Sequence, residues 1–289
     1  MFRTKAEVFA FIDGHKAEMS INRMCSLYGV TRAGYYAWRR RPESARKGQD
    51  RVLLQAMGTM FEKSCGTYGS PRLHQGLRAH GHRVSRRRVE RLMRESGWRA
   101  RVVRVYRRKA GTHRWFEQFP NLLRRSRATG PDQIWVGDVT YLAVGRRWWY
   151  LATVLDQYSR RLLAWRLGGV RDARLTRRVF AAAVRRRRPP KGLIFHSDRG
   201  SEFLGTRFRD RLTEHGVRQS MTRGGAPDEN AHMESFFHSL KAEGVHGHSF
   251  NTVDELRRHL ARYVRYYNHR RLHSALRYRS PVDYERGAA

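Results

Sequence analysis

Three carboxylates occupy settings in which acids are unusual: Asp138, Asp198 and Glu234. Asp138 lies within a run of β-branched and aromatic residues typical of a strand, where a buried carboxylate is costly without a partner. Asp198 follows a short apolar strand, at the end where sheets usually hold ligands, and Glu234 lies between the apolar positions of a helix that begins at Asn230. Because Mg²⁺ prefers oxygen ligands, the three acids predict a site for divalent metal.

Each acid also has an ordinary structural interpretation. Asp138 can be a structural acid of its strand, and Glu234 can simply be exposed. Asp156 is another acid at a strand end, but its position favours capping of a turn with Ser159 or pairing with Arg160. The metal site therefore depends on whether the three acids meet in space.

The charge of the chain indicates the substrate. The 289 residues include 60 Lys and Arg against 25 Asp and Glu, a formal net charge of +35. A chain this basic is expected to bind a polyanion, with nucleic acid as the default and a solvated charged surface as the alternative. Residues 1–130 hold 30 basic and 9 acidic residues, whereas residues 131–289 hold 30 and 16. This distribution suggests a basic half that binds nucleic acid, joined to a half whose acids carry the chemistry.

The first half contains two candidate bihelical units. Residues 20–40 predict a helix with Met24, Leu27 and Tyr28 on one apolar face, then a turn and a second helix capped by Thr31. Residues 67–97 repeat this pattern, with Pro71 in the first turn of one helix and a second helix crowded with arginines. We expect these units to contact DNA, although a packing module with solvated arginines is the alternative. The candidate contacts are Arg72, Arg86, Arg87, Arg88, Arg91 and Arg94.

The second half alternates strands and helices. Three strands joined by short turns are followed by helix, strand, helix, strand and helix. This order predicts a mixed α/β fold, with a five-stranded sheet flanked by helices in a ribonuclease-H-like arrangement. Further along, Tyr263, Tyr266 and Tyr267 favour a helix packed on the core over a base-stacking surface.

We predict five segments along the chain. A helix-turn-helix-like segment (1–45) and a second helical DNA-binding unit (46–110) precede a basic linker (111–128), a catalytic core (129–245) and a C-terminal helical extension (246–289). With two cysteines, no signal-like N-terminus and no apolar run of membrane-spanning length, a cytoplasmic protein is expected.

The motifs resemble the DDE transposase and integrase superfamily, and within it the OrfB-type transposases of IS3-family insertion sequences. The resemblance covers nearly the whole chain and rests on blocks in a fixed order: Tyr68-Gly69-Ser70-Pro71-Arg72, Trp135-x-x-Asp138-x-Thr140-Tyr141, Asp156-x-x-Ser159-Arg160, His196-Ser197-Asp198-Arg199-Gly200-Ser201, Asn230-Ala231-x-x-Glu234-Ser235-Phe236 and Tyr267-Asn268-x-x-Arg271-x-His273-x-x-Leu276. A 35-residue gap separates Asp198 from Glu234, and Lys241 follows seven residues after Glu234. The sequence departs from the family pattern at Gly137, Glu202, Asp228, Glu229 and Arg277.

The resemblance implies a reaction and its partners. Two Mg²⁺ ions, for which Mn²⁺ can substitute, would be shared by Asp138 and Asp198, with Glu234 as the third ligand. Strand nicking by water would free a 3′-OH that attacks a second phosphodiester at the ends of a mobile element. The further DNA contacts implied are Asn230, Lys241, Arg271 and His273.

The implied partners are double-stranded DNA, further copies of the chain assembled on it, and an upstream OrfA-type protein or fusion. The implied location is the bacterial nucleoid. Two other functions stay open from the residues alone: a non-catalytic DNA-binding repressor on a decayed core, and a ribonuclease acting on RNA–DNA hybrids.

Overall fold

The computed structural model describes most of the chain, namely residues 2, 4–42, 44–101, 120–124, 126–223 and 227–287. By compactness the chain divides into two units, Met1–Gly58 and Thr59–Ala289. The predicted basic linker, 111–128, lies mostly outside the described residues. The finer division into five segments stays a prediction. In the described ranges, no helix combines the length and the apolar character needed to span a bilayer.

The first unit is built on three short helices: α1 (Lys5–Gly14), α2 (Ile21–Leu27) and α3 (Arg32–Arg40). The predicted pair α2–α3 is confirmed, and the side chain of Thr31 caps α3 by accepting a hydrogen bond from the Gly34 N–H at 3.1 Å. The predicted apolar face of α2 is wrong in part, since Leu27 is 65% exposed. Helix α1, which the sequence pattern did not reveal, packs on α2 and α3 and completes the core. The buried residues of this core are Val8, Phe9, Ile12, Met24, Cys25 and Tyr35.

Three helices follow: α4 (Ala45–Lys63), α5 (Ser70–Ala79) and α6 (Arg86–Glu95). The second predicted bihelical unit is confirmed as α5 and α6, which pack on each other. Gly69 is the N-cap of α5, and Ser85 caps α6 by accepting a hydrogen bond from the N–H of Arg88. The apolar spacing of both helices faces inward, burying Leu73, Leu77, Val89, Leu92 and Met93.

The core of the second unit is a five-stranded sheet with the order β3-β2-β1-β4-β5. Its strands are β1 (Ile134–Val144), β2 (Arg147–Asp156), β3 (Leu162–Gly168), β4 (Ile194–Ser197) and β5 (Arg218–Met221). Strands β1, β2 and β3 pair antiparallel, whereas β4 runs parallel to β1 and β5 runs parallel to β4. The predicted mixed sheet and its ribonuclease-H-like strand order are confirmed.

Helices cover both faces of this sheet. On one face, α7 (Ala173–Arg187), α8 (Ser201–Leu204) and α9 (Thr206–Glu214) enclose an aromatic core. Two helices, α8 and α9, stand where the predicted order has one helix between β4 and β5, because the helix is interrupted at Gly205. On the other face lie α10 (Ala231–Ser239), a π-helical turn (Leu240–Val245) and α11 (Val253–His269), followed by α12 (Pro281–Arg286).

Packing at the centre of the sheet requires a glycine at position 137. A Cβ added at Gly137 would lie 2.4 Å from Cζ of the Phe195 ring on the neighbouring strand. Phe195 is fully buried and contacts Phe180 and Phe208, so its ring has little freedom to move. The departure from the family pattern at this position is therefore explained by the ring beside it.

Helix α11 covers the open edge of β3. The Asn268 side chain accepts a hydrogen bond from the Leu162 N–H and donates one to the Leu162 carbonyl, both at 2.9 Å. A buried amide thereby satisfies a stretch of edge-strand backbone, as a further strand would. Tyr263 and Tyr267 are 6% and 3% exposed, which confirms the packing interpretation of the tyrosine run.

Candidate active site

The parallel pairing of β1 with β4 brings Asp138 and Asp198 together. The last paired residues are Gly137 and Ser197, so each aspartate is the next residue along its strand direction. Neighbouring strands lie about 4.8 Å apart, which makes the two carboxylates lateral neighbours. Asp138 Oδ1 accepts a hydrogen bond from the Val139 N–H, and Asp198 Oδ1 accepts one from the Gly200 N–H at 3.1 Å.

Electrostatics confirm that the two aspartates interact. Burial and the charge of Asp198 raise the pKa of Asp138 well above its usual value. The pKa of Asp198 is also raised, by burial first and then by the charge of Glu202. A pair of acids in this state is costly to ionise, and a cation between them would remove that cost.

A third carboxylate next to this pair was not among the predicted site residues. Glu202 is only 2% exposed, and Arg171 binds it through Nε at 2.7 Å and Nη2 at 2.6 Å. The same Nη2 lies 3.8 Å from Asp198 Oδ2. The Glu202 carboxylate lies against Gly200, where a Cβ would be only 2.6 Å from it, so a larger residue at position 200 would displace this carboxylate. Arg171 follows β3 and is distant in sequence, so the pattern gave no signal for it.

Glu234 lies on α10, which packs against β1, the strand that carries Asp138. Its side chain is half-buried. Within the part of the chain that the structure describes, no three His, Cys, Asp or Glu side chains are grouped closely enough to hold one metal ion. The aspartate pair is therefore formed, while Glu234 stands on the neighbouring helix and its role as third ligand stays a prediction.

Lys241 and Asn230 flank this helix. Lys241, in the π-helical turn, is close enough to Asp138 for the aspartate's charge to oppose the lowering of the lysine pKa by burial. Asn230, the N-cap of α10, is 6% exposed, and its Oδ1 has no hydrogen-bond partner among the described residues. Lys241 thus lies near Asp138, and its contact with a phosphate stays a prediction.

Arg271 and His273 lie inside the protein, and this placement gives no support to their predicted contact with DNA. Arg271 is 5% exposed and donates to both carboxylate oxygens of Glu243, at 2.7 and 2.6 Å. Burial lowers the pKa of His273 to about 3, so this ring is neutral. Glu243 also lies 3.5 Å from Arg72, which extends the network to the start of α5. The motif that contains Arg271 and His273 therefore links the start of α5 to the π-helical turn that packs on the sheet.

The α6 arginines are the more accessible cations. Arg86 pairs with Glu90 and Arg91 with Glu95, both at 2.8 Å and one helical turn apart. Exposed pairs of this kind contribute little to stability, so a phosphate can replace the glutamate. Arg87 and Arg94 are exposed as well.

Two polar residues at strand ends have structural roles. Asp156 accepts hydrogen bonds from the N–H and hydroxyl of Ser159, at 2.7 and 2.8 Å, and from the Asp132 N–H at 2.8 Å. The turn-capping interpretation is thus confirmed. His196 is fully buried on β4, and its Nδ1 lies 2.8 Å from the Ser220 hydroxyl of β5. Burial lowers the pKa of His196 to about 4, so it is neutral beside Asp198.

Comparison with known proteins identifies the family. Two integrase core domain models match residues 128–227 and 215–281, and an HTH-like domain model matches residues 48–108. The transposase InsF for insertion sequence IS3A of Escherichia coli (strain K12) is 35% identical over 285 residues, which are 96% of this chain and 98% of that protein. An uncharacterized 31 kDa protein of insertion element IS600 from Shigella sonnei is 36% identical over 263 residues, 90% of this chain and 97% of that one.

Among solved structures, the HTLV-2 integrase catalytic core domain in complex with magnesium aligns with a TM-score of 0.42 and 18% identity, covering 55% of this chain and 99% of that one. This similarity is too low to add to the strand order described above. The identity to InsF over nearly the full length of both proteins is decisive. This chain belongs to the IS3 family of insertion-sequence transposases and is a DNA transposase of the DDE type.

Proposed function

We propose that Asp138, Asp198 and Glu234 are the catalytic acids of this transposase. The proposed reaction is metal-dependent nicking of DNA at the ends of its insertion sequence, followed by transfer of the freed 3′-OH to a target strand. In the first step a water oxygen attacks phosphorus and the 3′ oxygen leaves. In the second step that 3′ oxygen attacks the phosphorus of a target phosphodiester, and the 3′ oxygen of the target strand leaves. The observation that supports this proposal is the half-buried aspartate pair at the adjacent ends of β1 and β4.

The donor set fits divalent cations. Carboxylate oxygens are hard ligands, and because burial and neighbouring acids raise the pKa of both aspartates, a bound cation would stabilise their ionised forms. Asp138 and Asp198 would hold the ions, with Glu234 joining from α10. When bound there, Mg²⁺ or Mn²⁺ supplies positive charge to the attacking and leaving oxygens.

The remaining residues position the DNA. Lys241 lies beside Asp138 and would bind a phosphate next to the cut, while Asn230 would hold the same strand at the start of α10. The exposed arginines of α6 would bind phosphates of double-stranded DNA. Assembly of several copies on DNA, and cooperation with an upstream OrfA-type protein, belong to this proposal too.

The test is nicking and strand transfer on a duplex that carries the terminal repeat found beside the gene. Asp138→Asn, Asp198→Asn and Glu234→Gln should each abolish both steps while DNA binding persists. Asp210→Asn, on the exposed side of α9, is the matched control and should keep wild-type rates. Near wild-type joining by any of the three variants would exclude that residue from the catalytic set.

A second readout does not need turnover. In EDTA, Asp138→Asn should melt at a higher temperature than the wild type, because the substitution removes a half-buried acid whose ionised form is repelled by Asp198. Added Mg²⁺ should raise the melting temperature of the wild type only. Binding to the terminal repeat without any Mg²⁺-dependent nicking by the wild type would favour the repressor function instead.

A further inference from the structure

Two aromatic side chains are exposed on the hairpin that extends from the aspartate pair. Tyr141 of β1 is 40% exposed and Trp148 of β2 is 58% exposed. Their ring centroids lie 5.0 Å apart with the planes nearly perpendicular. Of the large apolar side chains described in the second unit, only Val170 is exposed in addition to this hairpin aromatic pair. Exposed aromatic rings in contact are unusual, since burial would stabilise them, and they indicate a binding surface.

Strand register explains why the rings meet. Trp148 pairs with Ala143, and Tyr141 is two residues earlier on β1, so the two rings are diagonal neighbours on one face of the sheet. Asp138 is three residues before Tyr141, about 10 Å along the strand, and points to the other face. The hairpin aromatic pair is therefore close to the aspartates without taking part in their coordination.

Lys241 connects the two features. In the described chain, the pairing of β4 with β1 ends at Gly137, so β1 has an open edge from Asp138 onward. The Lys241 side chain reaches this edge from the face of the sheet that α10 and the π-helical turn cover. Its Nζ lies 4.9 Å from the centroid of the Tyr141 ring, and its charge interacts with that of Asp138. One ammonium group thus lies between the catalytic acids and the aromatic pair.

The surroundings carry positive charge. Arg146 in the hairpin turn and Arg147 at the start of β2 are exposed, next to Trp148. Aromatic rings interleaved with cations are the combination that binds single-stranded nucleic acid, because the rings stack on bases while the cations hold phosphates. A protein partner that docks through an apolar patch would not need three cations around it.

We propose that the hairpin aromatic pair stacks on a base that leaves the duplex at the cleaved end, next to the phosphodiester that Lys241 binds. Trp148, the more exposed ring, supplies the stacking surface, and Tyr141 supports it from the side. The ligand is an unpaired base at a strand end, of either purine or pyrimidine type, since every base has a face that can stack. This inference rests on the proposed function, because it places that base beside the cut.

The experiment measures binding rather than turnover, with Ca²⁺ in place of Mg²⁺. The probe is a terminal-repeat duplex nicked at the cleavage point, in which one nucleotide at a time near the nick is made abasic. Wild type, Trp148→Ala, Trp148→Phe and Val170→Ala are compared on each duplex. Val170→Ala is the control for loss of an exposed apolar side chain and should bind as the wild type does.

We expect Trp148→Ala to weaken binding about 10-fold or more, and Trp148→Phe to retain most of the affinity. An abasic site at the stacked nucleotide should weaken wild-type binding by a similar factor. Combined with Trp148→Ala, that abasic site should cause no further loss, since both changes remove one contact.

Three results would overturn the proposal. The first is unchanged affinity of Trp148→Ala for the nicked end. The second is that, at every abasic position, the affinity loss of Trp148→Ala and that of the abasic site multiply in full, as they would for independent contacts. The third is an altered oligomeric state of the DNA-free variant without any change in DNA affinity, which would assign the aromatic pair to an interface between copies. Absence of Mg²⁺-dependent nicking would refute the proposed function alone. The comparison of Trp148 variants would still be informative, because it measures binding in Ca²⁺ and needs no turnover.

Discussion

Removal of Arg171 should destabilise the fold through Glu202. Glu202 is 2% exposed, and the two nitrogens of Arg171 at 2.7 and 2.6 Å are the cationic contacts that the structure gives its carboxylate. Arg171→Leu would leave this charge buried beside Asp138 and Asp198, whose charges already interact with it. A carboxylate buried in this way is destabilising whether it stays ionised or takes up a proton.

The magnitude follows from the burial of the two partners. Removing one partner of a fully buried ion pair typically costs about 3–5 kcal/mol. The Arg171 side chain is 42% exposed, so water can enter part of the space that it leaves. We therefore expect Arg171→Leu to lower the free energy of unfolding by about 2–3 kcal/mol. Since a typical domain is stable by roughly 5–15 kcal/mol, this loss is easily measured.

The assay is urea unfolding at neutral pH in EDTA. Arg171→Leu is compared with Glu202→Gln and with the double variant, in which the neutral amide needs no counter-charge. The double variant should recover most of the loss. The control is Arg211→Leu, which breaks an exposed pair with Glu214 and should cost at most about 0.5 kcal/mol. A loss below about 1 kcal/mol for Arg171→Leu, or no recovery in the double variant, would falsify the view that this pair keeps Glu202 buried.

Three further variants test the packing around the site. Gly137→Ala should lower the free energy of unfolding by about 1–3 kcal/mol in urea, because its Cβ would press on the Phe195 ring. Asn268→Ala should cost about 2 kcal/mol in the same assay by leaving the Leu162 N–H and carbonyl unpaired, whereas Asn268→Asp should keep the contact to the N–H. The pKa of His273 is about 3 in the folded chain and near 6.5 when unfolded, so the unfolded chain binds more protons at acid pH. Unfolding free energy should therefore fall by about 2 kcal/mol from pH 7 to pH 5, and His273→Gln should flatten this dependence.

The sequence predicted the strands of the sheet well because local pattern and tertiary position agree there. The alternation and β-branched content around Asp138 locate β1, and the short apolar run before Asp198 locates β4. Helix α1 was missed although Thr4 caps it through the Glu7 N–H, because its polar and apolar residues are mixed and show no clear helical spacing. The break at Gly205 was missed because the apolar spacing continues through it.

The site was predictable only where the chain itself carries a motif. The aspartate pair could be inferred, since parallel strands bring their ends to one edge of a sheet. Arg171 could not, because an arginine after a strand looks like any of the chain's other cations until the fold brings it to Glu202. The burial of Arg271 was not predicted either. The family motif implied a DNA contact for this residue, but its carboxylate partner, Glu243, is 28 residues away in sequence, and the pairing becomes visible only in three dimensions.

The charges at the site have a sign opposite to that of the molecule. Asp138, Asp198 and Glu202 face two cations, Arg171 and Lys241, in a chain of net charge +35. The surface therefore attracts DNA while the site itself keeps an excess of negative charge and would repel a phosphate. A divalent cation at the aspartates reverses this local sign. Because coupling between two ligands is reciprocal, we expect DNA bound at the site to strengthen cation binding in turn, so cation affinity should be higher with DNA than without it.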